Sequence, residues 1–147
     1  MPIVKKLEQH KLLLDTHVWI WLMNGDLTLS HTFLKTVARR QKLDDILISA
    51  ISIWEIGMLV EKKRIRLEMD CLDWIEKLLA LPGVRLVPIS PRIAIQSTRL
   101  PGIVHGDPTD RILIATAVEE NAVLATHDQK ILEYGIDKFL SVHDPIT

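Results

Sequence analysis

The segment Leu12-Leu13-Leu14-Asp15-Thr16-His17 decides how this chain is expected to fold. Three consecutive leucines are typical of a short strand that is buried on both faces, as in a parallel sheet covered by helices. Asp15 follows the last leucine, so we expect its side chain at the carboxyl end of the strand. Open α/β sheets bind their ligands at this edge.

The same arrangement, an apolar run that ends in an acidic residue, occurs three more times along the chain. The other runs are Ile48 to Glu55, Ile103 to Asp107 and Asp110, and Leu124 to Asp128. A parallel sheet would bring such strand ends to one edge. Carboxylates gathered there, without basic residues nearby in sequence, predict a divalent-metal site.

Helical segments alternate with these strands. We predict strands over 11–15, 46–50, 84–89, 123–126 and 139–142, and helices over 17–23, 30–41, 52–63, 71–81, 91–100, 107–121 and 129–135. The alternation predicts one α/β domain over residues 1–147. Its architecture should be a three-layer α/β/α sandwich with a mainly parallel central sheet.

Composition places the chain among soluble globular proteins. Its 147 residues, 48% hydrophobic and 25% charged, are enough for one domain with a core of its own. The net charge of -1 gives no sign of nucleic-acid binding through bulk charge. Cys71 is the only cysteine, which excludes an internal disulfide and favours the cytoplasm. We predict no signal peptide and no membrane span.

Each acidic residue also has a simpler structural interpretation as a helix cap. Asp15 and Asp128 could each cap the helix that follows it. The tetrapeptide Ser52-Ile53-Trp54-Glu55 fits a capping box, with Ser52 as the cap. Thr126 could assist Asp128 by hydrogen bonding. Capping alone therefore explains these residues one at a time.

Asp110 is the hardest of these residues to explain as a cap. It shares a predicted core-facing stripe with Ile114, Ala117 and Val118, where a charge needs a partner. Asp107 could be the cap of the same helix. Several acids at neighbouring strand ends would repel by about 4 kcal/mol per pair at ~4 Å and an effective dielectric constant of ~20. A divalent cation removes that cost, and oxygen ligands favour Mg²⁺ or Mn²⁺ over Zn²⁺.

These residues resemble the PIN domain, in particular the VapC-like toxins of bacterial and archaeal toxin–antitoxin pairs. The similar segments are Leu12 to His17, Ser49 to Glu55, His105 to Arg111 with Ile114 to Ala117, and Thr126 to Asp128. The resemblance runs nearly from end to end, and its four motifs occur in the family's order.

The resemblance implies a Mg²⁺-dependent endoribonuclease that hydrolyses RNA phosphodiester bonds. It also implies a homodimer and a cognate antitoxin protein that inserts a segment into or beside the active site. By motif, the family's catalytic and metal-binding acids correspond to Asp15, Glu55, Asp110 and Asp128, with Asp107 as an additional acid. Either Asp107 or Asp110 could bind the metal directly, and the helical face favours Asp110.

Three other functions stay open from the sequence. A structure-specific DNA nuclease is one, because a metal site does not read the sugar. A phosphatase or phosphotransferase with Asp15 as nucleophile is another, although His17 stands where such enzymes have a second acid. The third is a non-enzymatic binding module whose acids only cap helices.

Other residue types near the motifs are expected to have structural roles. His17, His105 and His127 show no paired spacing that would indicate a metal site. For Trp19, Trp21 and Trp54 we favour core packing or an oligomer interface over base stacking. Lys62, Lys63, Arg64 and Arg66 could flank a groove, but a solvated helix end is the simpler interpretation, and Arg111 could contact phosphate or only solvent.

Overall fold

The structure is a computed structural model that describes residue 7 and residues 10–102, 106–136 and 139–147. Within these ranges the elements are β1 (Leu12–Leu14), α1 (Thr16–Met23), α2 (His31–Lys42), β2 (Ile46–Ser49), α3 (Ala50–Glu61), α4 (Cys71–Leu79), β3 (Val84–Val87), α5 (Pro91–Ser97), α6 (Pro108–Glu120), β4 (Val123–Ala125), α7 (Gln129–Gly135) and β5 (Val142–His143). His105, together with Ile103 and Val104, lies outside the described residues.

The strands form one sheet in the order β3-β2-β1-β4-β5, and each of its pairings is parallel. Strand β1 lies at the centre, where Leu13 pairs with Leu47 on one side and Leu124 on the other. The chain adds β2 and β3 on one side of β1 and then β4 and β5 on the other. The winding direction therefore reverses between β1 and β4, which is where open α/β sheets form a ligand-binding crevice.

Helices cover both faces of the sheet, because successive strand residues point to opposite sides. Leu12 and Leu14 pack in a core with α1 to α4, whose buried residues include Phe33 and Ile56. Leu13 packs in a second core with α5 to α7, which contribute residues such as Leu113. The predicted three-layer sandwich with a parallel sheet is confirmed. Across the described ranges, every helix is too short or too polar to reach through a lipid bilayer.

Several predicted element boundaries are wrong; for example, α5 ends at Ser97 rather than at residue 100. The last strand is Val142–His143 rather than 139–142, where it pairs with Leu124 and Ala125 of β4. Helix α3 begins at Ala50, because Ser49 is its N-cap and accepts a hydrogen bond from the Ile51 N–H at 3.1 Å. The predicted capping box with Ser52 as the cap is therefore absent.

Candidate active site

The predicted acids surround one cavity of about 280 Å³ at the carboxyl edge of the sheet. Its described lining consists of Asp15, His17, Val18, Trp21, Glu55, Asp107, Asp110, His127 and Asp128. The structure therefore brings together every acid that the sequence pattern singled out. Their contacts show how each is held.

Asp15 is both a helix cap and a member of the cavity wall. Its Oδ1 accepts a hydrogen bond from the His17 N–H at 3.0 Å, which caps α1. Its Oδ2 accepts one from the Thr126 hydroxyl at 2.7 Å. Burial raises the pKa of Asp15, and these two hydrogen bonds partly offset the rise. The capping interpretation is correct for Asp15, and it does not exclude a functional role.

Thr126 connects Asp15 to Asp128. Its buried hydroxyl donates to Asp15 and accepts a hydrogen bond from the Asp128 N–H at 3.1 Å. The Asp128 carboxylate in turn accepts from the N–H groups of Lys130 at 2.9 Å and Ile131 at 3.2 Å, and so caps α7. A single threonine at the end of β4 thus ties together the two acids at the point where the winding reverses.

Glu55 lies in the second turn of α3 rather than in a capping position. Its helix is joined to α1 by a buried hydrogen bond of 2.8 Å between the Thr16 and Ser52 hydroxyls. Burial raises the pKa of Glu55, a hydrogen bond with Thr16 lowers it, and the charges of Asp15 and Asp107 raise it. Ser52, predicted as a helix cap, instead helps to position the helix that carries Glu55.

The first turn of α6 supplies the remaining two acids. Asp107 caps this helix, accepting hydrogen bonds from the N–H groups of Thr109 at 2.8 Å and Asp110 at 3.3 Å. Asp110 is half-buried and starts a stripe that continues through the buried Ile114 and Ala117. Val118 does not belong to it, because its side chain is 40% exposed. The prediction for Val118 is wrong, since α6 buries a narrower face than the pattern suggested.

The electrostatics of the cavity favour a bound cation. Among the described lining residues there are five carboxylates and no Lys or Arg side chain. Burial raises the pKa of Asp110 to about 7, together with the charges of the other acids, listed by decreasing effect as Asp107, Asp128, Asp15 and Glu55. A divalent cation would relieve this repulsion.

The donor set suits Mg²⁺ or Mn²⁺ in chemistry, since it consists of hard carboxylate oxygens. Within the described ranges, no three Asp, Glu, His or Cys side chains already lie close enough to share one metal ion. Glu55 and Asp110 are partly buried and Asp107 is exposed, so a hydrated ion could reach all three carboxylates. The residues therefore fit a hard cation in kind and location, and the carboxylates would have to move closer together to share one ion.

Sequence reasoning missed one residue beside the cavity, Asp144. Its carboxylate lies 3.1 Å from His127 Nδ1 and so orients an imidazole that lines the cavity. Only the pairing of β4 with β5, which aligns Ala125 with His143, brings the two together, and no local motif indicates it. Arg111, in contrast, donates from Nε to the Ser97 carbonyl at 2.9 Å and fastens α6 to α5.

Comparison with known proteins shows which family the chain resembles in sequence and fold. A sequence model of the PIN domain family matches residues 12–136. Ribonuclease VapC22 of Mycobacterium tuberculosis is 34% identical over 119 residues, which cover 81% of this chain and 88% of that protein.

Solved structures with the same fold include two VapBC complexes. VapBC2 from Rickettsia felis, bound to a DNA fragment from its promoter, contains a chain with a TM-score of 0.67 and 19% identity, covering 90% of this chain and 96% of that one. VapBC-1 from nontypeable Haemophilus influenzae gives a TM-score of 0.66 and 20% identity, covering 92% and 98%. At such identities the likeness concerns the fold alone.

Proposed function

The chain belongs to the PIN domain family, and on this premise we propose that it is a Mg²⁺-dependent endoribonuclease, the toxin of a type II toxin–antitoxin pair. One observation carries the proposal: five carboxylates line a single cavity whose described walls contain no Lys or Arg side chain. The 34% identity to a ribonuclease supports RNA as the substrate. We further propose that residues 1–147 form a single domain.

In this proposal Asp15, Asp110 and Asp128 hold one or two Mg²⁺ ions, and Glu55 positions a ligand water or a second ion. A bound Mg²⁺ would lower the pKa of a water and neutralise charge on the scissile phosphate. Mn²⁺ could replace it. Asp107 is a helix cap that could add a further carboxylate oxygen. Asp110 must lose its proton to bind a cation, and its pKa of about 7 allows this near neutral pH.

The other residues keep these carboxylates in position. Thr126 fixes the orientation of Asp15 through Oδ2, and the His17 N–H fixes Oδ1. The Thr16 and Ser52 hydroxyls hold α1 against α3 and thereby set the position of Glu55. A site held by hydrogen bonds in this way has less freedom to lose when substrate binds.

Two partners follow from the family. The solved neighbours are toxin–antitoxin complexes, which supports a cognate antitoxin protein for this chain. We also propose a homodimer. Sedimentation of the isolated chain tests the dimer, and purification with the product of an adjacent small reading frame tests the antitoxin.

A nuclease assay separates the proposal from its alternatives. We expect the full chain to cleave single-stranded RNA in Mg²⁺, to stop when EDTA is added, and to recover when Mg²⁺ is restored. Preference for structured DNA over RNA would instead favour a DNA nuclease. A trapped phospho-aspartate at Asp15 would favour a phosphotransferase.

Calorimetry with Mn²⁺ addresses the remaining alternative, a non-enzymatic module. We expect binding, and a rise in thermal stability when the ion is added. If no heat of binding and no stabilisation were measured, the acids would be helix caps only.

A further inference from the structure

A second cavity, of about 520 Å³, opens beside the acid cavity along helix α3. We call it the α3 groove, and its described lining is Ile51, Trp54, Glu55, Met58, Leu59, Lys62, Arg64, Asp107, Pro108 and Thr109. Glu55 and Asp107 line both cavities. A polymeric substrate that is cleaved in the acid cavity could therefore extend directly into the α3 groove.

The sequence of α3 explains why the groove runs lengthwise along it. The lining residues of this helix recur at intervals of three and four, which places them on one helical face. From Ile51 to Lys62 this face extends about 16 Å. Beyond the helix, Lys63 adopts a left-handed conformation with φ 58°, and the Arg64 N–H donates to the Leu59 carbonyl at 2.9 Å. This turn brings Arg64 back to the end of the groove beside Lys62.

Trp54 presents a large aromatic surface to this groove. Its side chain is 58% exposed, and it makes no ring contact with another aromatic residue in the described part of the chain. Trp19, in contrast, is buried and lies against Trp74 at 6.0 Å between ring centroids. Core packing, one of the roles expected for both residues, therefore accounts for Trp19 but not for Trp54.

Lys62 and Arg64 add positive charge at the far end of the groove. Both are exposed, and among the residues that the structure describes neither forms an ion pair. Lys62 lies about 10 Å along the helix from Glu55. Cations at that distance are suited to a phosphate that flanks the reacting one.

We propose that the α3 groove binds the single-stranded RNA next to the cut site, with Trp54 stacking on a base and Lys62 and Arg64 contacting backbone phosphates. This inference rests on the proposed function. An aromatic platform followed by cations is the combination that single strands require, because their unpaired bases offer open faces. The net charge of -1 does not argue against RNA binding, because the positive charges of Lys62 and Arg64 are concentrated where the strand would pass.

Binding of a short random-sequence, fluorescein-labelled RNA to the full chain tests this proposal. Anisotropy is measured in Ca²⁺ at several salt concentrations, and the RNA is checked to be intact afterwards. We expect Trp54→Ala to weaken binding about tenfold, and Trp54→Phe to stay within about threefold of wild type, because a phenyl ring still stacks. Circular dichroism confirms that each variant is folded.

The charge contribution has its own pair of variants. Lys62→Gln with Arg64→Gln should reduce the slope of log affinity against log salt by about 1.4, at roughly 0.7 per lost phosphate contact on a single strand. The matched control is Lys35→Gln with Lys42→Gln, which removes two exposed charges from α2 outside the groove and should leave the slope unchanged.

Cleavage kinetics separate failure of this inference from failure of the proposed function. Trp54→Ala should raise KM with little change in kcat. If wild type cleaves RNA but the groove variants keep wild-type affinity, KM and salt slope, the groove is not an RNA site while the nuclease stands. If the wild-type protein does not cleave RNA, yet its RNA binding still depends on Trp54, the groove is an RNA site and the proposed nuclease function is wrong. Loss of self-association in Trp54→Ala, with RNA affinity intact, would assign the groove to a protein interface and overturn the inference.

Discussion

The Thr126 hydroxyl donates a hydrogen bond of 2.7 Å to Asp15 Oδ2, across the junction of the two central strands β1 and β4. The same oxygen accepts the Asp128 N–H at 3.1 Å. Both Thr126 and Asp15 are buried, so water has little access to replace either bond. The orientation of one acid and the backbone of the next therefore depend on a single side chain.

Replacing Thr126 by Val should affect both folding and metal binding. The methyl group fills the same volume but leaves Asp15 Oδ2 and the Asp128 N–H without their partner, at a cost of about 1–3 kcal/mol in unfolding free energy. Mn²⁺ affinity should also fall, because Asp15 loses its fixed orientation. Chemical denaturation and calorimetry measure the two effects.

Thr116→Val is the matched control for this change. Thr116 is also buried, but its hydroxyl donates to the Ile112 carbonyl inside α6, away from the acids. It should lose some stability and keep its Mn²⁺ affinity. Wild-type metal affinity in Thr126→Val would show that the hydrogen bond to Asp15 does not organise the site.

Asp107 and Asp110 are expected to respond differently to the same substitution. Asp107→Asn should keep α6 intact, because Asn caps helices as well as Asp, whereas Asp107→Ala should lose about 0.5–2 kcal/mol. Asp110→Asn should lower Mn²⁺ affinity by at least about 100-fold, since changes outside the ligand shell already cost about 10- to 100-fold. If calorimetry showed a larger loss of Mn²⁺ affinity in Asp107→Asn than in Asp110→Asn, Asp107 rather than Asp110 would be the metal ligand.

The stability of the metal-free protein should fall as pH rises from 3.8, the ordinary pKa of Asp, to about 7. Folding raises the pKa of Asp110 to about 7, so between its ordinary value and 7 the folded protein holds a proton that the unfolded chain has released. The unfolded state then binds fewer protons, and the unfolding free energy decreases with pH. Asp110 contributes most at low pH and loses that contribution as its carboxyl ionises.

Denaturation in EDTA across this pH range measures the effect. Asp110→Asn should reduce the slope but not abolish it, because burial also raises the pKa values of Asp15 and Glu55. Asp73→Asn, which changes an exposed acid in α4, should leave the slope unchanged. Added Mn²⁺ should reverse the trend, because it binds the ionised carboxylate more tightly as pH rises. An unchanged slope in Asp110→Asn would show that other groups cause it.

Strands and their acidic ends could be predicted because continuous apolar runs such as Leu12–Leu14 carry the signal for a doubly covered parallel strand. The start of α3 could not be predicted, since Ser49 and Ser52 are both good caps and the chain alone does not show where pairing with β3 ends. In the structure that pairing extends to Ser49, opposite Val87. Ser52 is then left inside the helix.

The contacts that hold the site together are the part that sequence could not show. Thr16 meets Ser52, and His127 meets Asp144, only after helices and strands have packed. Sequence did indicate each acid of the cavity, because each follows an apolar run. The sequence did not distinguish helix capping from metal ligation. In the structure, the Asp15 carboxylate caps α1 and also lines the cavity.

Cleavage of single-stranded RNA by Asp15→Asn in Mg²⁺ is the most direct measurement of the proposed activity. Asn can still cap α1 through Oδ1, while its amide Nδ2 would take the place of Asp15 Oδ2 and donate to the Thr126 hydroxyl oxygen instead of accepting from it. The variant should therefore fold, and circular dichroism checks that it does, while it loses the negative charge. We predict that wild type cleaves in Mg²⁺ but not in EDTA, and that Asp15→Asn in Mg²⁺ falls to the EDTA level. A folded Asp15→Asn that retained Mg²⁺-dependent cleavage would contradict the assignment of this cavity as the active site.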